Sequence, residues 1–318
     1  DANDDDDAAL EPAAPFFATP LPQPGEEWCD VPLERLIQFF RNPCRYLLER
    51  RLGIELRRDD EALQDDEPFL PDVPGRTALA RRLLPPLLAG TDISAVRAMA
   101  LAGTEVPAGA FGRRILDHEL AGLQDFAVRI AEATREPCVE PHAVSLTIAL
   151  DGRPWRIHVG FADLRASGLI RYRYDDLRPM DHLSAWLHHL MLCASPPAGV
   201  ERSTTWWGRV ERLTLKPCDD PIAVIETLLR LYERGLREPL YFFPKSAWSY
   251  VTHDSSLTAA TQTGRMSKHR PYAEGADAAY RLALRGRPDP LGPGQEEFHA
   301  CAHKVFDPLI DCLQSPPP

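Results

Sequence analysis

The chain has 318 residues, 44% of them hydrophobic, with 31 prolines and a formal net charge of −11. That is enough apolar material for one large or two modest domains. No run of 18 apolar residues occurs, which excludes a transmembrane helix. The first residues carry neither a basic region nor an apolar signal core, which argues against a secretory peptide.

The acidity is unevenly spread. Residues 1–30 hold nine of the 47 acids and no Lys or Arg, so the remainder has 38 acids against 36 bases. A nearly neutral body neither excludes nucleic acid nor announces it. The chain lacks an initiator Met and reads as a piece of something longer. Its seven cysteines are scattered and never form a C-x-x-C pair, which predicts reduced thiols in a cytoplasmic protein and no zinc or disulfide framework.

Residues 1–27, acidic and rich in Pro and Ala, read as a disordered linker, and residues 28–318 as the folded domain. Pro32 suits a first helical turn, with Leu33, Leu36, Ile37 and Phe40 on one face. Asn42-Pro43 breaks that helix and restarts it, and a polar loop covers 57–75. Helices are expected at 77–89, interrupted by Pro85-Pro86, and at 92–102. The longest helical signal runs from Gly109 to about Arg135.

The period then changes to two. Residues 142–150 meet Asp151-Gly152, a tight-hairpin signal, and 154–164 return as a second strand. A third strand at 169–174 completes an antiparallel meander. Beyond it the pattern predicts a helix at 180–193, one or two strands around Trp206-Trp207, and a helix started by Asp220-Pro221 and stopped by Gly235. A short strand at Leu240–Phe243 follows, then an exposed, basic arm at 253–271, and helices at 272–284 and 295–313.

One acid, Asp163, ends the second strand, and Arg171 and Arg173 follow on the third, two residues apart and so on one face. The order of elements resembles the restriction-endonuclease-like, PD-(D/E)xK nuclease fold, an α/β core with a mixed sheet flanked by helices. In that fold such an acid and an acid-x-Lys on the next strand hold a divalent metal that activates water. The four lysines, Lys216, Lys245, Lys268 and Lys304, are preceded two residues earlier by Thr214, Phe243, Met266 and Ala302, so acid-x-Lys is absent from the chain. Guanidinium groups stay charged and repel a cation that prefers carboxylate oxygens. The site is read as degenerate. Arg171 and Arg173 either pair with Asp163 and nearby acids or hold a phosphate.

Three stretches carry a more specific likeness: Leu33 to Pro43 with Tyr46 and Arg51-Leu52; Val106 to Gly112; and Leu169 to Arg173 through Trp186 to Ser195. On their order and spacing the chain resembles the C-terminal domain of the RecC family, the gamma subunits of the exodeoxyribonuclease V (RecBCD) helicase-nuclease of DNA repair and recombination. The resemblance spans about residues 28–313. It implies a non-catalytic, nuclease-like domain without cofactor or metal, with RecB-like and RecD-like subunits, double-stranded DNA ends and unwound single strands as partners. It puts Arg113 where catalytic relatives carry a His, and His182 and Trp186 near the positions of a Gln-x-x-x-Tyr. Pro43-Cys44 without matching C-terminal cysteines argues against an iron–sulfur cluster.

The DNA-binding candidates are Arg171, Arg173, Trp206, Trp207, Arg265, Lys268 and Arg270. A strand-separating pin, which the family places in this part of the subunit, is sought in the 253–271 arm or the Trp206-Trp207 hairpin. Arg41, Arg45, Arg50 and Arg51 form a basic stripe that is either a solvated face or a phosphate track. His299 and His303, one helical turn apart, lack an evident third metal ligand, and His188-His189 is expected to divide between a buried and a solvent face. Two rival readings stay open: an active nuclease using Asp163 with Asp175 or Asp176, and a scaffold that never touches DNA.

Overall fold

The computed structural model describes residues 14–56, 73–103, 105, 109–265, 273–292 and 296–315. It is an α/β structure with two mixed sheets flanked by helices. The first sheet has the order β1-β3-β2, from Asp30–Pro32, Arg153–Phe161 and His142–Leu150, with β1 parallel and β2 antiparallel to β3. The β2–β3 turn is made by Asp151 (φ 49°) and Gly152 (φ 82°), the left-handed pair that a two-residue hairpin needs.

The second sheet has the order β4-β5-β6-β7, from Leu164–Arg165, Gly168–Tyr172, Thr204–Trp207 and Arg212–Leu215. The expected three-strand meander is therefore divided. The chain bends between Phe161 and Leu164, and β5 pairs with β4 and, in parallel, with β6. Gly168 (φ 108°) permits the close approach: a Cβ there would stand 2.2 Å from the Ser203 carbonyl oxygen.

Helices α1 (Leu33–Arg41) and α2 (Pro43–Tyr46, continued by a π turn at Leu47–Arg51) are separated at Asn42, whose side chain accepts from the Arg45 N–H at 2.9 Å. Helices α3 (Val73–Leu88), α4 (Ile93–Leu101) and α5 (Gly109–Ala133) build a second, smaller core around Leu83, Val96, Leu116, Leu120, Leu123 and Phe126, joined by Tyr174. Pro85-Pro86 does not interrupt α3, which runs through both prolines.

Helix α6 (Pro179–Ala194) is buried nearly all round and forms the axis of the main core. Helices α7 (Pro221–Gly235), α8 (Pro244–Thr252), α9 (Leu257–Gly264), α10 (Ala278–Ala283) and α11 (Glu296–Asp311) complete the body. Asp220 caps α7 as expected, accepting from the Ala223 N–H at 3.1 Å.

Three further expectations differ from the structure. Residues 240–243 form no strand; Leu240, Tyr241, Phe242 and Phe243 are a buried connection leading into α8. The arm contains α9, which packs on α8, while its bases Lys268, His269 and Arg270 lie outside the described residues, as does most of the 57–75 loop. In the segment read as linker, residues 14–27 lie on the body. Phe17 is buried, the Leu21 N–H donates to the Arg237 carbonyl at 2.7 Å, and Arg153 Nη1 donates to the Pro24 carbonyl at 2.6 Å.

Candidate functional site

The bend between the two sheets and the buried helix α6 place the candidate site. Asp163 stands at the bend and Arg171 on β5 reaches back to it, Nε donating to Oδ2 at 3.0 Å. The same guanidinium donates through Nη1 to His188 Nε2 at 3.0 Å, and His188 Nδ1 donates to the Ser184 carbonyl at 2.8 Å. Because guanidinium can only donate, Nε2 accepts and the proton belongs on Nδ1.

Glu34 Oε1, from α1, stands 3.5 Å from the same Nε2. Its carboxyl is held below the usual carboxylate range, against the raising effect of its partial burial. With Nε2 engaged as acceptor, the pull on Glu34 comes from the Arg171 charge rather than from a hydrogen bond.

Arg173 does not join Asp163. It lies one residue past β5, and its Nη2 donates to Asp181 Oδ2 at 2.5 Å and stands 3.8 Å from Asp175. Asp181 also accepts from the Arg178 N–H at 2.9 Å, capping the N-terminus of α6. Asp181 and His188 are seven residues apart, two helical turns, so both arginines face the same stripe of α6. Both arginines contact α6, Arg171 through His188 and Arg173 through Asp181.

The other carboxylates weighed for chemistry are also taken by arginines. Asp175 pairs with Arg178 at 2.7 Å and Asp176 with Arg209 at 2.9 Å. Arg113 is exposed on α5, nine residues before Gly122, where that helix meets Tyr174; this is roughly 14 Å along the axis. Among the described residues it makes no hydrogen bond or ion pair with Asp163 or Arg171.

His182 and Trp186 are buried away from Asp163. His182 stacks on Trp248 at 4.4 Å, and burial lowers its pKa to about 4. His188 and His189 do not divide between core and solvent. Both are buried, and burial also lowers His189 to about 4, against the raising effect of its bond to the Lys216 carbonyl.

Trp206 packs on the main core and Trp207 on the smaller one, where the Arg212 guanidinium lies 5.1 Å from its ring centroid. Arg265 pairs with Asp289. The basic stripe is broken up: Arg45 pairs with Glu49 and Asp277, and Arg51 lies over Trp28, while Arg41 and Arg50 are exposed. His299 stacks on Tyr250 and His303 pairs with Asp307, so the two rings do not converge. Sequence reasoning passed over Glu34 and Asp181. Asp181 was legible as an acid three residues after Arg178 at a helix start.

This is an α/β domain in which Asp163, Asp175 and Asp176 are each engaged by arginine. The model of the RecC C-terminal domain family matches residues 28–255, and the chain belongs to that family. It is 27% identical over 245 residues to the RecBCD enzyme subunit RecC of Escherichia coli, covering 76% of this chain and 21% of that protein. It is 27% identical over 320 residues to RecBCD enzyme subunit RecC of Mycobacterium tuberculosis, covering 94% and 28%. With the subunit of the same name from Mycolicibacterium smegmatis it shares 29% identity over 315 residues, covering 93% and 28%. The chain thus spans between 21% and 28% of the length of these relatives.

Proposed function

We propose that this chain is a non-catalytic, restriction-endonuclease-like domain of a RecBCD-type helicase-nuclease that processes DNA double-strand breaks in the cytoplasm. In this reading it docks RecB-like and RecD-like subunits and guides or splits duplex ends without cutting them. The observation that supports the reading is the Arg171 guanidinium, 3.0 Å from Asp163 and 3.0 Å from His188, at the acid to which the resemblance assigns a cation. A fixed positive charge bonded to the one retained acid competes directly with a metal for its oxygens. The engagement of Asp175 and Asp176 by Arg178 and Arg209 weighs against an active site built from migrated carboxylates.

Contact with DNA is tested by anisotropy with a forked duplex over a range of salt. A guiding domain binds with an affinity that falls steeply as salt rises, through displaced counterions. An absence of salt-dependent binding would leave only the scaffold reading.

A further inference from the structure

About 100° round α6 from the Asp181–His188 stripe, His182 faces a different environment. It lines a cleft of about 330 Å³ bounded by β7, α8 and the residues after α11, with Trp248, Arg212, Thr214 and Gln314 among its walls. Leu313 bridges to Leu215 on β7, and the Gln314 N–H donates to the Thr214 carbonyl at 2.9 Å, so the floor is a strand edge closed by the segment after α11.

His182 is 6% exposed, and its ring stacks on Trp248 with 22° between planes. Its Nδ1 is buried with no hydrogen-bond partner among the described residues. Burial keeps the ring neutral at pH 7, so it carries one proton. An orphaned buried N–H is rarer and costlier than an orphaned lone pair, which puts the proton on Nε2 and makes that nitrogen the ring's available donor.

The chemistry of the walls narrows the ligand. There is a flat aromatic pair, a neutral imidazole donor, a hydroxyl at Thr214, and an amide at Gln314 that can both donate and accept. Arg212 stands at the cleft with Glu211 beside it, so the net charge there is small and a dianion alone is poorly matched. The space suits one base with its sugar and is too small for a duplex. Planar rings held against aromatic side chains and read along their edges are the mode by which unpaired nucleic acid is recognised.

We propose that this cleft binds a single nucleobase of unwound DNA, held against the Trp248 ring in the plane of His182 and read on its edge by His182, Thr214 and Gln314. The inference rests on the reading that the chain handles unwound strands. Trp206 and Trp207, the aromatic pair first suggested by the sequence, are engaged by the two cores and by Arg212.

The test uses the 318-residue chain and a short oligothymidylate carrying one 5-iodouracil. Binding is followed by anisotropy, and the photocrosslink is located by mass spectrometry. The expected crosslink lies in a peptide containing His182 or Trp248, and its yield falls about tenfold in Gln314→Ala and in His182→Phe, both shown to be folded by circular dichroism. Thymidine monophosphate is expected to compete much more weakly than the oligonucleotide. Equal affinity for the mononucleotide would overturn the assignment to a strand. A crosslink mapped elsewhere, or one unchanged in both variants while the oligonucleotide still binds, would overturn the cleft alone. If the chain binds no oligonucleotide at all, the DNA-handling reading falls and takes this inference with it.

Discussion

Arg171 and His188 are joined by a 3.0 Å hydrogen bond that ties β5 to the helix at the centre of the main core. His188 is 2% exposed and Arg171 only partly so, and Asp163 closes the chain of contacts from the solvent side. Replacing Arg171 with Met removes the donor while keeping most of the apolar stem. The expected loss is about 1–2 kcal/mol of unfolding free energy, because a buried imidazole nitrogen loses its partner. Urea unfolding of the single variant measures it; an unchanged midpoint would mean that the bond contributes nothing to folding.

Asp181 has a larger part in the structure than Asp163. It is 8% exposed, accepts from Arg173 at 2.5 Å and caps α6 through the Arg178 N–H. Asp181→Ala removes a charged hydrogen bond from a partly exposed guanidinium and leaves an open helix terminus, and is expected to cost roughly 2–3 kcal/mol. Asp163→Ala, at a pair more open to solvent, is expected to cost less than about 1 kcal/mol. Comparing the two by thermal or urea unfolding tests the order.

Gly235 closes α7, and the sequence suggests a helix stop. The structure adds a packing reason. A Cβ on it would meet Phe39 at 2.4 Å and 2.5 Å and Leu240 at 3.1 Å, and Phe39 is fully buried. Gly235→Ala is therefore expected to destabilise by about 1–3 kcal/mol, since the ring has nowhere to retreat. A stabilised variant would show that helix propensity outweighs the contact.

His182 gives a pH dependence with a definite sign. Its folded pKa of about 4 lies below the unfolded value, near 6.5, so the contribution is full above pH 6.5. It is lost as the pH falls from there towards 4, because the unfolded chain takes up a proton that the folded one refuses. The slope approaches ~1.4 kcal/mol per pH unit between the two values. Stability curves of the parent and of His182→Phe at pH 7, 6 and 5 isolate this residue; the parent should fall more steeply, and parallel curves would contradict the buried neutral ring.

Much of the architecture was legible because it is written in local patterns. The β2–β3 hairpin follows from alternation and the Asp151-Gly152 turn, and α5 and α7 from apolar spacing and, for α7, the Asp220 cap. Other features depend on partners distant in sequence. Leu240 to Phe243 has the composition of a strand, but all four residues are buried in a connection, and an apolar run does not distinguish the two. The third strand of the expected meander belongs to a second sheet because β5 finds β6, more than thirty residues later, as a parallel neighbour.

The candidate site divides in the same way. The Asp163–Arg171 pair was foreseeable from two strands and a short turn. Arg173 turns to Asp181 because β5 ends at Tyr172 and the following residue meets the capped end of α6. The inward face of His188 reflects a helix buried on nearly every side, which the three polar residues His182, His188 and His189 conceal in the sequence.

In the proposed function, the site around Asp163 is closed by arginine and does not cut DNA. The most direct measurement incubates the purified chain with single-stranded and forked DNA in magnesium or manganese and follows the strands by gel electrophoresis. Intact DNA is expected in both metals, with the parent and Asp163→Ala indistinguishable. Degradation by the parent that disappears in Asp163→Ala would contradict it.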